Sequence, residues 1–313
     1  MQNPKFFICP MTKNIVDSVL EINSPIFALL PTLRQIDFNG GYVNNWKTKS
    51  FSEYVRGKSR ILLQRDHSGL DQGSIDFVKS LEEDSKFFDL IHIDPWKKFA
   101  SIHEGLKETL SNINFIHDLN PEIRFEVGTE EAIRKFSADE IEWFLKELRK
   151  NLSQKKFELI EYVCIQSGVG LDLKDRKNTG KFSHDRLNSM IKICRDFGKK
   201  SKEHNGDYLS GEDYVIRFKS GLESVNIGPE IAQIETESYL ECMNEYEIDD
   251  FYQVCLESGK WKKWVDENFD ASDKIRLILI CGHYNLKDLK INLKSDFIKG
   301  RIKEKLKNLI RYV

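Results

Sequence analysis

Short runs of apolar, β-prone residues alternate along this chain with longer stretches whose apolar positions recur every three or four residues. The first run is Phe6-Phe7-Ile8-Cys9, and an amphipathic stretch follows from Thr12 to Ile22. The next runs are Ile26–Leu30, Arg60–Arg65, Asp89–Ile93, Arg124–Val127 and Tyr162–Gln166. A more polar seventh candidate spans Ser201–His204, and the eighth is Ser224–Ile227. Helical periodicity covers Ser74–Asp84, Ile102–Leu119, Ala138–Asn151, Leu187–Lys200 and Pro229–Met243. Ser50 reads as a helix N-cap, with Glu53 completing a capping box. Strands alternating with helices call for parallel βαβ units. Eight of them predict an α/β fold, a closed (β/α)8 TIM barrel over residues 1–240. No GxGxxG or P-loop opens any of these helices, which disfavours an open dinucleotide-binding sheet.

Beyond Glu241 the strand pattern stops. Residues 241–313 read as a C-terminal helical extension packed on the barrel, ending in a basic amphipathic helix over Lys294–Tyr312. Composition narrows the function classes. The 313 residues carry a net charge of -2, so no general basic face for nucleic acid is expected. No apolar run reaches membrane-spanning length, and Phe6–Cys9 is too short for a signal-peptide core. The six cysteines are scattered without a CxxC pair, which predicts reduced thiols and a cytoplasmic setting.

Barrel chemistry sits where strands run out at their C-terminal ends. Here those ends are polar: Arg65-Asp66-His67, His92-Ile93-Asp94, Glu126 to Glu130, Gln166 to Asp172, His204 to Tyr208, and Asn226 to Glu230. Charged and imidazole groups converging on one axis must be paired, hydrated or metal-bound. Two histidines with carboxylates from different strands suit a catalytic metal site. His67 and His204 follow strands directly and are site candidates. His92 lies within a strand and fits either a core or a site role, and His283 in the tail is equally open. His103, His117 and His184 read as structural. A phosphate could meet Arg34, Arg65, Lys181, Lys274 or Arg276; Glu230 disfavours an anion at the helix opened by Gly228-Pro229.

In its ordered motifs the chain resembles the non-catalytic subunit family of class II tagatose-bisphosphate aldolase, which also includes metal-dependent ketose 4-epimerases. The motifs are Gly40-Gly41-Tyr42, Asp66-His67-x-Gly69, Ile91-His92-Ile93-Asp94, Gly128-Thr129-Glu130, Gln166-x-Gly168-Val169-x-x-Asp172, His204-x-x-Asp207-Tyr208 and Gly228-Pro229. Trp261-Lys262-Lys263 and Ser272-Asp273-Lys274-Ile275-Arg276 extend it into the tail. The resemblance implies a class II aldolase barrel and retro-aldol/aldol chemistry on a ketose or sugar phosphate, as a C4-epimerase or aldolase. It implies His67 and His204 as metal ligands with Glu126 or Glu130. Zn²⁺ is the expected cofactor, with Mn²⁺, Co²⁺ or Ni²⁺ as other choices. Asp66 and Glu130 would be catalytic. Gln35, Tyr42, Arg65, Asp94, Gln166, Asp172, Asp207 and Asn226 would bind substrate. Departures from the family pattern at Arg65, Pro95-Trp96, Ser167, Gly170 and Asn205-Gly206 point to a substrate other than tagatose or fructose phosphate. The alternative is a non-catalytic stabilising subunit of a separate aldolase, so the partners implied are a carbohydrate, a second copy of the chain or a catalytic aldolase subunit.

Overall fold

The computed structural model describes residues 3–286 and 295–313. Its barrel strands are β1 (Phe6–Ile8), β2 (Phe27–Leu29), β3 (Leu62–Ser68), β4 (Leu90–Ile93), β5 (Arg124–Val127), β6 (Ile160–Ile165), β7 (Lys200–Glu203) and β8 (Ser224–Ile227). All pair in parallel with their sequence neighbours, and β1 pairs with β8 to close the barrel. The fold is therefore the (β/α)8 barrel expected from the alternation.

The helices that connect these strands are α1 (Lys13–Ile22), α2 (Thr48–Arg56), α3 (Phe77–Phe87), α4 (Ile102–Leu119), α5 (Ala138–Asn151), the short α6 (Gln154–Glu158), α7 (His184–Asp196), α8 (Gly211–Ser220) and α9 (Pro229–Leu240). The tail adds α10 (Glu245–Ser258), α11 (Lys274–Cys281) and α12 (Ser295–Ile310). Lys294, the expected start of the last helix, lies outside the described residues. Among those residues, no helix is long and apolar enough to cross a membrane.

Local chemistry explains where the elements begin. Thr12 caps α1 by accepting from the Ile15 amide, and Ser137 with Glu140 forms a capping box at α5. The expected cap at Ser50 is displaced. Lys47 is the N-cap of α2, and Ser50 at the third position bonds back to the Lys47 amide. Ser74 does not open α3; its hydroxyl is taken by Asp37, and Asp76 caps the helix instead. Helix α8 has no clear counterpart in the sequence pattern, because Gly211-Glu212-Asp213 masks its periodicity. A Ser210–Asp213 capping box and a left-handed Gly221 nonetheless bound it.

Two layers of core follow. Phe6, Ile8, Leu29, Leu63, Ile91, Phe125 and Val163 pack outward against the helices. Phe7, Ala28, Leu30, Leu62, Leu90 and Tyr162 form a separate cluster inside the barrel. Helix α12 joins the helical layer, packing on α1 and α9 through Ile298, Ile302, Leu306 and Leu309. Helices α10 and α11 build a further core with Tyr252, Cys255, Leu277, Ile280 and Cys281.

Arg65 is an outward residue of β3 and is fully buried. Its guanidinium grips Asp84 through two bonds of 2.8 Å and donates to the carbonyls of Pro31 and Ile36. Truncation would leave Asp84 buried without its partner. Arg65→Ala should lose about 3–5 kcal/mol of stability in urea unfolding.

Glu235, on a buried face of α9, accepts from Thr12 Oγ1 and from Asn14 Nδ2 at 2.8 Å. Burial outweighs both bonds and pushes its pKa up to about 7. An unfolded glutamate ionises near ~4.3. Between that pH and about 7 the folded chain keeps a proton that the unfolded chain has lost. Stability from this group is thus greatest in acid, falls as pH rises through the window, and is level above it. Urea unfolding across that range should show a shallower decline for Glu235→Gln.

Candidate active site

Strand alternation sends every second residue into the barrel. Above the apolar floor of Phe7, Leu62, Leu90 and Tyr162 comes a polar layer of Gln64, Glu126 and Lys202, none of them exposed. Lys202 Nζ lies 2.7 Å from Glu126 Oε2 and donates to Gln64 Oε1 at 2.6 Å. It also sits 3.5 Å above the Phe7 ring centroid. Gln64 Nε2 donates to the same Glu126 oxygen. Burial alone would keep Glu126 protonated. The charges of Lys202, His92 and His204, and the His204 bond, overcome it and hold the carboxyl well below its ordinary range.

The next layer carries the imidazoles. A bulge in β3 places three steps, from Arg65 to Ser68, against two steps of β4. The extra residue, with His67 in the left-handed region at φ 45°, breaks strict alternation, so consecutive Asp66 and His67 both face the barrel mouth. Gly69 then passes so close to the Asp94 carbonyl that a Cβ would lie 1.9 Å from its oxygen. His92 enters from β4, and His204 immediately follows β7. The three ring centroids lie 5.0–5.2 Å apart.

Each imidazole turns one nitrogen to an acceptor. His67 Nδ1 lies 2.6 Å from Asp94 Oδ2, His92 Nε2 lies 3.0 Å from the Gly128 carbonyl, and His204 Nε2 lies 2.8 Å from Glu126 Oε1. His92 Nδ1 also accepts from the His67 amide at 3.3 Å. One nitrogen of each imidazole and a carboxylate oxygen of Asp66 form a donor set within 4.8 Å of one another. Buttressed imidazoles plus one carboxylate are what a divalent cation takes, so the residues fit a metal. A second grouping of Glu126, Cys164 and His204 fits less well. Glu126 is already committed to Lys202, and burial and nearby carboxylates hold the Cys164 thiol protonated.

The electrostatics are tightly coupled. Burial opposes a charge on His67. The Asp66 carboxylate, the Asp94 bond and charge, and Glu130 outweigh it and raise its pKa to about 10. His92 is raised in the same way by Glu126, Asp66 and Asp94 against its burial. Asp66 is held low, against burial, by His67, the His92 bond and His204.

A cavity of about 780 Å³ opens above this layer. Asp66, His67, Glu130, Gln35 and Tyr42 line it. Glu130 is not in the donor set; its carboxylate accepts from Asn205 Nδ2 at 2.6 Å. Other sequence candidates sit behind the cavity. Asp94 orients His67 and also accepts from Thr129 and Gln72. Gln166 ties down the loop after β5, accepting from the Phe136 amide and donating to the Thr129 and Arg134 carbonyls. Asp207 Oδ1 accepts from the Gly228 and Glu230 amides at the start of α9. Asp172 lies on a small hairpin, Leu171–Asp172 with Lys177–Asn178, and accepts from the Asp175 amide. Arg65 is held on the outer face of β3, away from the cavity. Asn226 is buried, and among the described residues its side-chain amide has no partner. His92, left open in the sequence, belongs to the imidazole cluster. Its two-residue spacing from both Leu90 and Asp94 on an inward register is the signal that identifies it. Nothing along the chain marks Gln64 and Lys202 as inward until the barrel is closed. His283 is buried beside Tyr42 and lines a separate cavity of about 140 Å³.

No protein-family model matches the chain, and no curated protein matches it. Solved structures do. A probable tagatose 6 phosphate kinase from Sinorhizobium meliloti is 13% identical, covering 99% of this chain and 100% of that one with a TM-score of 0.76. A fructuronate-tagaturonate epimerase from Cohnella laeviribosi is 10% identical, covering 99% and 79% with a TM-score of 0.62. A fructose-bisphosphate aldolase from Campylobacter jejuni is 10% identical, covering 99% and 89% with a TM-score of 0.60. At these identities the likeness establishes the fold alone, a (β/α)8 barrel. It agrees with the resemblance carried by the sequence motifs.

The buried pair beneath the imidazoles is testable. Lys202→Met leaves Glu126 charged and buried with its ammonium partner gone, and should lose about 3–5 kcal/mol of stability. Lys202→Met/Glu126→Gln should recover part of that loss. Urea unfolding of the single and double variants measures the coupling.

Proposed function

We propose that the chain is a divalent-metal-dependent enzyme that makes or breaks a carbon–carbon bond near the carbonyl of a ketose or ketose phosphate, as a 4-epimerase or an aldolase. The observation that carries this reading is the donor set of Asp66, His67, His92 and His204 at the C-terminal end of the barrel, beside a cavity of sugar size. The names of the structural neighbours, an aldolase and an epimerase among them, support the same class.

His67, His92 and His204 would hold the cation, with Asp66 beside them left to act on the substrate, and Asp94, the Gly128 carbonyl and Glu126 would fix the imidazole orientations. An imidazole donor set of this kind suits Zn²⁺. When bound, the cation supplies Lewis acidity at the substrate carbonyl oxygen. Asp66, held ionised, accepts the proton from the hydroxyl on the fourth carbon. The bond between the third and fourth carbons breaks. Its electron pair moves toward the carbonyl to leave an enediolate, and the fourth carbon becomes an aldehyde. In an epimerase the aldehyde turns over, the bond re-forms on its other face, and Asp66 returns the proton. In an aldolase the aldehyde leaves and the third carbon takes a proton, which Asp66 or Glu130 would give. Glu130 on the cavity wall is the second group able to carry a proton. Gln35 and Tyr42 on the cavity wall, and the unpartnered amide of buried Asn226, would bind hydroxyl groups.

Calorimetric titration of chelator-treated protein with Zn²⁺ should show tight binding that is lost in His67→Ala and His204→Ala. Asp66→Asn should lower turnover by about 10²–10⁴-fold. A panel of ketoses and ketose phosphates followed by NMR in D₂O should show either an epimerised product that keeps its carbon-bound hydrogens or cleaved products with deuterium entering next to the carbonyl. Equal zinc binding by the histidine variants, or neither product nor exchange across the panel, contradicts the proposal.

A further inference from the structure

Five cationic side chains line the cavity, Arg34, Lys97, Lys260, Lys262 and Lys263, against the two carboxylates Asp66 and Glu130. Both of those acids belong to the reacting end described above. Arg34 comes from the loop after β2, and Lys97 from the loop after β4. Lys260 and Lys263 come from the tail, just past the left-handed Gly259 that ends α10. These two ammoniums flank one ring, 5.3 and 5.0 Å from the Tyr284 centroid. The Arg34 stem runs against Gly73, where a Cβ would lie 2.5 Å from Arg34 Cγ. Lys97 Nζ is bonded to the Asp71 carbonyl rather than to a carboxylate. Among the described residues none of these four cations is in an ion pair. Burial, Arg34, Lys260 and Lys97 together push the Lys263 pKa down to about 8.

The other cations that the sequence offered to a phosphate are committed elsewhere or lie off the cavity. Arg65 holds Asp84, Lys274 pairs with Asp249, and Arg276 pairs with Asp175. Lys181 is not among the lining residues. The N-terminus of α9, a common phosphate seat in barrels, is occupied by Asp207.

We propose that the substrate carries a phosphoryl group and that Arg34, Lys97, Lys260 and Lys263 receive it at the cavity mouth, while its reacting carbonyl lies toward Asp66 and His67. The second half rests on the carbon–carbon chemistry proposed above; the anion seat stands on its own. Four converging cations without an acid among them match a dianion better than a single carboxylate. The planar fork of Arg34 adds paired donors to phosphoryl oxygens.

Glycerol 1-phosphate titrated into the 313-residue chain, followed by ³¹P NMR, reads this seat without any turnover. Binding should weaken about tenfold or more in Lys260→Ala/Lys263→Ala and, separately, in Arg34→Gln. It should persist in His204→Ala, which disables the metal reading. Glycerate should bind more weakly than glycerol 1-phosphate, and equal binding overturns the phosphoryl assignment. No binding, or binding unchanged by the lysine and Arg34 substitutions, overturns the seat itself. Turnover of unphosphorylated ketoses without glycerol 1-phosphate binding would sink this inference and leave the carbon–carbon chemistry standing. Phosphate binding without turnover would do the reverse.

Discussion

Glu126 and Lys202 meet 2.7 Å apart at the centre of the barrel with no exposed surface on either side chain. Two charges withdrawn from water are tolerated only when nearly every polar atom finds a partner. Gln64 and His204 complete that arrangement, and the upper layer follows from it. Glu126 fixes His204, His204 packs edge-on against His67 and His92, and Asp94 and Gly128 fix those two in turn. The imidazoles are rigid because the carboxylates beneath and beside them cannot move without stranding a buried charge.

The bulge in β3 works with the outer face of the same strand. Arg65 is clamped to Asp84 and to two carbonyls, which anchors the strand just before the irregularity. With Arg65 fixed outward, the extra residue turns both Asp66 and His67 toward the cavity. Arg65, one of the departures from the family pattern, thus serves packing against Asp84 and two carbonyls rather than substrate.

The tail completes the cavity. Helix α12 fills a place in the outer layer between α1 and α9, while α10 and α11 form their own core against the barrel. The turn after α10 carries lysines and Trp264 to the mouth. The barrel alone would present an acidic and imidazole-rich floor. Cations from the tail and from two strand-end loops give the cavity its opposite pole.

The alternation of apolar runs with amphipathic stretches settled the barrel, because a strand buried on both faces must be short and apolar and its partner helix must be one-sided. The polar strand ends marked where titratable side chains collect, and Asp66, His67, His204 and Glu126 stand among them. Facing was not legible. Arg65 and Gln166 stand in the same polar strand ends as Asp66 and His204, yet one grips Asp84 and the other ties a loop. Only strand register and the bulge decide which way a side chain points. His92, Gln64 and Lys202 became visible for the same reason, once closure of the barrel made the alternate positions of separate strands meet. Long-range pairing of buried charge is a property of the folded geometry, so no local pattern along the chain could announce it.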